Sequence, residues 1–360
     1  MMQAMQTSRI PDARNLLHTY HTNHAAQHDL DASVQILRGL QYPTGLFAAA
    51  AKTVATGYNR AWIRDNIYCS LGLEASQNRS DLVKVYRALL DILLKHEEKI
   101  DWAVKNRPTE RYQYIHARYD PESMDEIWEE WGNKQNDAVG ALLFKIGELE
   151  SKGIRIIRDR HDLRILQKLV WYLESIEYWH DKDNGIWEED EEIHASSVGA
   201  CVAGLKQISK IVDVPEELIL KGRKALDRLL PRESAKKETD LALLSLIYPY
   251  DIVTREQAEK ILAGIHSMLE RNRGICRYVG DQYYHKGGEA EWCFGFPWLA
   301  IIYRYLKRPD MYALYMRKTL GIMNRKGEIP ELYFAGSDEH NENSPLGWAQ
   351  ALFLVAGRLG

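Results

Sequence analysis

Cysteine is scarce in this chain of 360 residues: Cys69, Cys201, Cys276 and Cys293 stand alone, with no CxxC pair. That spacing excludes a zinc-ribbon or dithiol redox motif and offers no disulfide framework, so the thiols read as small hydrophobes of a reduced compartment. No apolar run reaches the roughly 20 residues that span a bilayer. The N-terminus MMQAMQTSRIPDARN also lacks the basic-then-apolar order of a signal peptide. A soluble, cytoplasmic protein without a membrane partner is therefore expected. Neither sign of charge dominates, since 47 Lys and Arg face 51 Asp and Glu for a net −4. With no basic stripe or charged tail, nucleic acid is not an expected partner. Pro/Gly/Ser-rich linkers are missing as well. The expectation is one domain over residues 30–360 behind a polar lead-in over 1–29. The lead-in carries His18, His21, His24 and His28, but no carboxylate completes a ligand set, and neither metal nor cofactor is expected.

Aromatics and helical periodicity are what the chain has in plenty. The ten tryptophans and twenty tyrosines fall largely in stretches that read as loops. Apolar residues recur with the helical period almost throughout, as Leu163, Leu166, Val170 and Leu173 do for one predicted buried face. Helices are predicted near 30–40, 62–77, 80–104, 134–151, 161–180, 194–211, 215–230, 236–248, 254–271, 289–306, 309–322 and 345–359. Pro215 ahead of two glutamates, and Thr254 with Gln257, have the form of helix starts. Connections into even-numbered helices are mostly long and hold the unusual residues, and those leaving them are short. The even-numbered helices are also the less polar. Six helical hairpins closed into an (α/α)6 barrel, an all-α toroid with its long loops at one mouth, account for both patterns. An open solenoid would need hairpins alike in sequence, which these are not.

Five loops then converge. Trp187-Glu188-Glu189 joins an aromatic to two adjacent carboxylates, of which one tends to stay protonated in an apolar cleft. Such an acid can donate a proton, although glutamates also suit a helix N-terminus. Arg64 and Asp65 follow Trp62 at a predicted helix start. They fit either first-turn roles or a hydroxyl-rich ligand. Trp131 stands before a glycine and a polar cluster, and the loop 273–292 brings Arg277, Tyr278, Asp281, two tyrosines, Glu291 and Trp292. Glu331, after Pro330 and before three bulky residues, is a working carboxylate or half of an ion pair. Hairpins three and six face each other in a ring of six, so Glu188 and Glu331 should oppose across an aromatic cleft. Glycoside hydrolysis needs that pair: one protonates the leaving oxygen and the other activates water. Opposition favours the wide separation, about 6.5–9.5 Å, of inverting enzymes. A permanent cation buried against either glutamate, or their placement at different ends of the molecule, would remove this chemistry.

The stretches 41-QYPTGLFAAA-50, 62-WIRDNIY-68, 115-IHARYD-120, 131-WGNKQNDAVG-140, 153-GIRII-157, 185-GIWEED-190, 194-HASSVG-199, 329-IPELYF-334 and 344-SPLGWAQALF-353 run in one order along most of the chain. In them the sequence resembles glycoside hydrolase family 15, the glucoamylase family. It is similar too to the glucoamylase-like region of phosphorylase kinase alpha and beta regulatory subunits. The resemblance implies the (α/α)6 fold, Glu188 as general acid and Glu331 as general base. It implies that Glu189 bonds substrate, that Arg64 and Asp65 hold the outer hydroxyls of the sugar, and that Trp131 stacks while Arg277 binds hydroxyls. Trp62 and Trp187 supply aromatic faces beside them. The implied activity is an inverting, exo-acting α-glucosidase taking an α-glucan or α-gluco-oligosaccharide. Leu332 departs from the Gln usual after the base in glucoamylases and gives the kinase-subunit form. The paired Glu188-Glu189 keeps the hydrolase pattern. A glucan-binding regulatory module, or a hydrolase of trehalose or α-1,6 linkages, are the alternatives. The oligomeric state has no signature here.

Overall fold

The computed structural model describes residues 24–129 and 131–359, so His18 and His21 and most of the lead-in lie outside the described residues. The described residues form thirteen α-helices, together with short 3₁₀ and π turns and four two-residue strands. In chain order the helices are α1 (His24–Gly39), α2 (Ile63–Ala75), α3 (Arg79–Lys95), α4 (Glu97–Lys105), α5 (Asn136–Ser151), α6 (Arg160–Ser175) and α7 (Ala195–Ile208). They continue as α8 (Glu216–Leu229), α9 (Leu244–Ile247), α10 (Arg255–Gly264), α11 (Gly295–Tyr305), α12 (Pro309–Gly321) and α13 (Gly347–Arg358).

The less polar helices form the inner ring. Contacts run from α2 to α5, α7, α9, α11 and α13, and from α13 back to α2, so the ring closes as an (α/α)6 barrel. Inner helices are buried nearly all round; in α2 every residue from Ile63 to Leu73 is buried. Outer helices keep one apolar stripe. On α6 it consists of Ile165, Leu166, Leu169, Val170 and Leu173. Leu163, expected on that face, is instead exposed: in the helix's first turn and about 20° beyond Val170 at about 100° per residue, it falls just outside the edge of the stripe. The tightest seam is α5 against α7: a Cβ on Gly140 would stand 2.4 Å from the Ala200 carbonyl carbon, and one on Gly204 would stand 2.3 Å from the Gly140 oxygen. Only bare backbone fits there.

Three predicted helices change in detail. The helix expected over 80–104 breaks at His96 into α3 and α4. The one expected over 236–248 starts only at Leu241, as a 3₁₀ turn, because Asp240 is extended and caps it by accepting the Ala242 N–H at 2.8 Å. The stretch expected to be helical from 289 first makes a strand, β3 (Glu291–Trp292), pairing antiparallel with β4 (Leu332–Tyr333). A second pair joins β1 (Ala61–Trp62) to β2 (Arg118–Tyr119). The Thr254–Gln257 capping box forms as expected, and Pro215 sits immediately before α8. Both strand pairs tie mouth loops to one another, which gives the irregular chain there a fixed frame.

Candidate active site

At the mouth of the ring lies a cavity of about 320 Å³, within the range of small-ligand sites. The nine residues given a catalytic or sugar-binding role from the sequence all line it: Trp62, Arg64, Asp65, Trp131, Trp187, Glu188, Glu189, Arg277 and Glu331. Five of the six hairpins contribute to the wall. The loops bearing Glu188 and Glu331 belong to the third and sixth, on opposite sides of the closed ring. Ala49, Tyr58, Gly132, Tyr283, Trp292, Phe294 and Trp348 line it as well. Phe294 and Trp348 stack at 4.7 Å, nearly parallel. Their role is settled by tertiary packing, so nothing in the local pattern distinguished them from core aromatics.

Glu331 is fully buried. Its loop is anchored by Cys293 N–H donating to the Glu331 carbonyl at 2.9 Å, an extension of the β3–β4 pair. One carboxylate oxygen, Oε2, accepts from the side-chain amides of Asn341 and of Asn343, the latter at 2.8 Å. The other, Oε1, has no hydrogen-bond partner among the described residues. Burial pushes the Glu331 pKa up, while the amide donors of Asn343 and Asn341, the nearby Tyr58 hydroxyl and the charge of Arg277 act against that rise. The Tyr58 hydroxyl is itself paired with Tyr283 at 2.9 Å. Replacing Asn343 by alanine removes a donor that favours the ionised form, so the Glu331 pKa should climb further. If Glu331 must be ionised to act, the acid limb of the pH–rate profile then moves to higher pH, and a limb that stays in place contradicts this.

Glu188 sits at a φ of 62°, in the left-handed region that suits glycine. The turn is gripped from below: Asn184 accepts the Lys134 N–H at 3.0 Å and donates to the Glu189 carbonyl at 2.6 Å. Gly132 makes room for it, since a Cβ there would stand 2.5 Å from the Glu188 carbonyl oxygen. The carboxylate itself meets Arg64 Nη2 at 3.0 Å. A cation against this glutamate is therefore present. It is not Glu188's alone, because Arg64 also donates to Gln135 at 2.6 Å and lies 3.6 Å from Asp65 and 3.7 Å from Asp137. Burial outweighs it, and the Glu188 pKa remains raised despite Arg64 and Gln135. Burial likewise takes Asp65 up to about 6.

The second glutamate is held quite differently. Glu189 accepts from Arg277 Nη2 and from the Tyr278 hydroxyl, both at 2.6 Å, and from Lys237 at 3.2 Å. Arg277 is locked by Asp281 and packs over the rings of Tyr283, Trp292 and Trp187. Trp187 in turn donates its indole N–H to Asp240 at 2.7 Å. Glu291 faces away from the cavity and accepts the Arg273 and Gly336 backbone N–H groups. Of the adjacent pair, Glu188 is thus the buried carboxyl with a raised pKa, and Glu189 is an anchor with three donors.

Comparison with known proteins gives the same frame. A glycosidase of known structure superposes with a TM-score of 0.80 at 17% identity, over 96% of this chain and 97% of that one. A bacterial glucoamylase solved with acarbose reaches 0.72 at 16% identity, over 96% and 59%. Among curated sequences, the probable phosphorylase b kinase regulatory subunit alpha of Caenorhabditis elegans is 25% identical over 82% of this chain. This chain spans only 30% of the length of that relative. The family model described as glycosyl hydrolases family 15 matches residues 30–356. The chain belongs to glycosyl hydrolases family 15.

Proposed function

We propose that this protein is an inverting, exo-acting α-glucosidase of glucoamylase type, hydrolysing α-glucans or α-gluco-oligosaccharides from the non-reducing end. The observation that carries the reading is the state of Glu331: buried in the cavity wall, with two amide donors on one oxygen and, among the described residues, none on the other. That leaves one oxygen able to accept from a water molecule in the cavity that Glu188 also lines. Glu331 takes a proton from that water as it attacks the anomeric carbon, while Glu188 gives its proton to the departing glycosidic oxygen. Arg64 and Asp65 hold the outer hydroxyls, Glu189 and Arg277 bind others, and the rings of Trp62, Trp131 and Trp187 offer faces to the sugar. The acarbose complex of the bacterial glucoamylase supports a glucan-like ligand for the same cavity.

A second reading has its own support. The curated relatives are regulatory subunits of a kinase, and Leu332 after Glu331 follows their form. On that reading the cavity binds glucan without cutting it. One experiment separates the two: incubation with maltose, isomaltose, trehalose and a malto-oligosaccharide, following released glucose and its anomeric form by NMR. β-Glucose as the first product is the expected outcome. α-Glucose overturns the opposed-carboxylate mechanism, and saturable binding with no glucose released points to the regulatory module. Glucose from isomaltose or trehalose alone reassigns the linkage.

A further inference from the structure

The stretch 115-IHARYD-120 carries a buried cation that the hydrolytic chemistry leaves without a task. Arg118 is 1% exposed, and β2 places it opposite Trp62 in register. Its guanidinium lies 4.7 Å from the centre of the Trp131 ring and 5.3 Å from that of Trp62. Among the described residues its one hydrogen-bond partner is Glu129, at 3.1 Å from Nη2 and itself largely in solvent. Nε and Nη1 are buried without a partner among the described residues. A buried guanidinium with so little ionic compensation is a poor stabilising ion pair. What surrounds it instead is aromatic, and a planar cation is well suited to lie against indole faces. The rest of the motif holds it there. The Arg118 backbone N–H donates to His116 Nδ1 at 3.1 Å, and burial, helped by Lys99 and Arg118, takes the His116 pKa down to about 3 and keeps the ring neutral. Asp120 closes the following turn by accepting the Glu122 and Ser123 N–H groups.

We infer that Arg118 is a positioning residue for sugar binding: packed against Trp62 and Trp131, it sets the tilt of the aromatic wall on which the ligand stacks. The inference rests on the proposed sugar-binding role of the cavity. Both rings line that cavity, and they meet edge to face at 6.1 Å and 65°. With the guanidinium in contact with both, neither ring can swing without giving up its cation. Without it, the two indoles are free to close on one another and narrow the slot.

The test uses the whole chain with maltose as the probe, in a Glu188→Gln background so that the probe is not consumed. Arg118→Met keeps the reach of the side chain and removes its charge and plane. It should weaken maltose binding about tenfold by calorimetry and alter the near-ultraviolet circular dichroism of the tryptophans. In a double-mutant cycle with Trp131→Ala, the cost of Arg118→Met should largely disappear, because its route to the ligand is gone. Arg118→Lys keeps the charge without the plane, should recover only part of the affinity, and replaces the Met variant in the cycle if that one does not fold. Additive effects in the cycle overturn the inference, as does an unchanged near-ultraviolet spectrum. A Glu188→Gln parent that binds no maltose counts against the cavity's proposed ligand instead, and the spectrum of the Arg118 variant still decides the tilt.

Discussion

Glu331→Gln is expected to lower turnover of maltose by about 10²- to 10⁴-fold, the usual cost of losing a general base. The change is nearly isosteric in a site with no solvent exposure, so the fold should hold. Its severity comes from the neighbours. Asn341 and Asn343 both present N–H groups to Oε2, which forces the new amide to turn its oxygen toward them. The amide nitrogen then occupies the place of Oε1, and a donor stands where water needs an acceptor. Azide, a small anion that attacks without giving up a proton, should restore part of the rate and yield the β-glucosyl azide. Full turnover in the variant, measured as glucose from maltose, removes Glu331 from the mechanism.

Glu188→Gln should cost a similar factor on maltose, about 10² to 10⁴, because an alkoxide cannot leave without a proton. The two variants part company on α-glucosyl fluoride. Fluoride departs unprotonated, so the Glu188 variant should be much less impaired there, whereas the Glu331 variant should be slow on both substrates. Glu189→Gln is the control within the same motif. Glu189 is engaged by Arg277, Tyr278 and Lys237, so its loss should raise KM more than it lowers kcat. If Glu189→Gln shows the fluoride rescue and Glu188→Gln does not, the two roles are exchanged.

Much of this arrangement was legible before any coordinates, for a specific reason. Helical periodicity and alternating loop length are local signals, and together they imply both the ring and which loops share its mouth. The nine cavity residues followed because the mouth gathers whatever the long loops carry. What stayed hidden depends on partners far apart in the chain. Asn341 and Asn343 sit in 337-SDEHNENS-344, which reads as an ordinary polar loop until Glu331 is folded beneath it. The Arg64–Glu188 contact joins positions 124 apart. Leu163 fails for the opposite reason: it shares the spacing of Leu166, Val170 and Leu173, which are buried, yet lies in the first turn just past the stripe's edge. The break at His96 and the late start at Leu241 are boundary effects, where one cap or bend overrides a continuous pattern.

The backbone of Glu188 bears on how relatives of this chain can be read. A non-glycine residue with φ near 62° gives up on the order of 1–2 kcal/mol relative to glycine in that conformation. Drift in a lineage that no longer needs a proton there should favour glycine or asparagine at this position, since either relaxes the turn. On the proposed acid role, a working hydrolase should keep glutamate here despite that posture, which other residues of the chain, such as Met124 at φ 62°, also adopt. The identity of this single position across homologues, set beside the length of each protein, should therefore sort working hydrolases from barrels retained only as scaffolds.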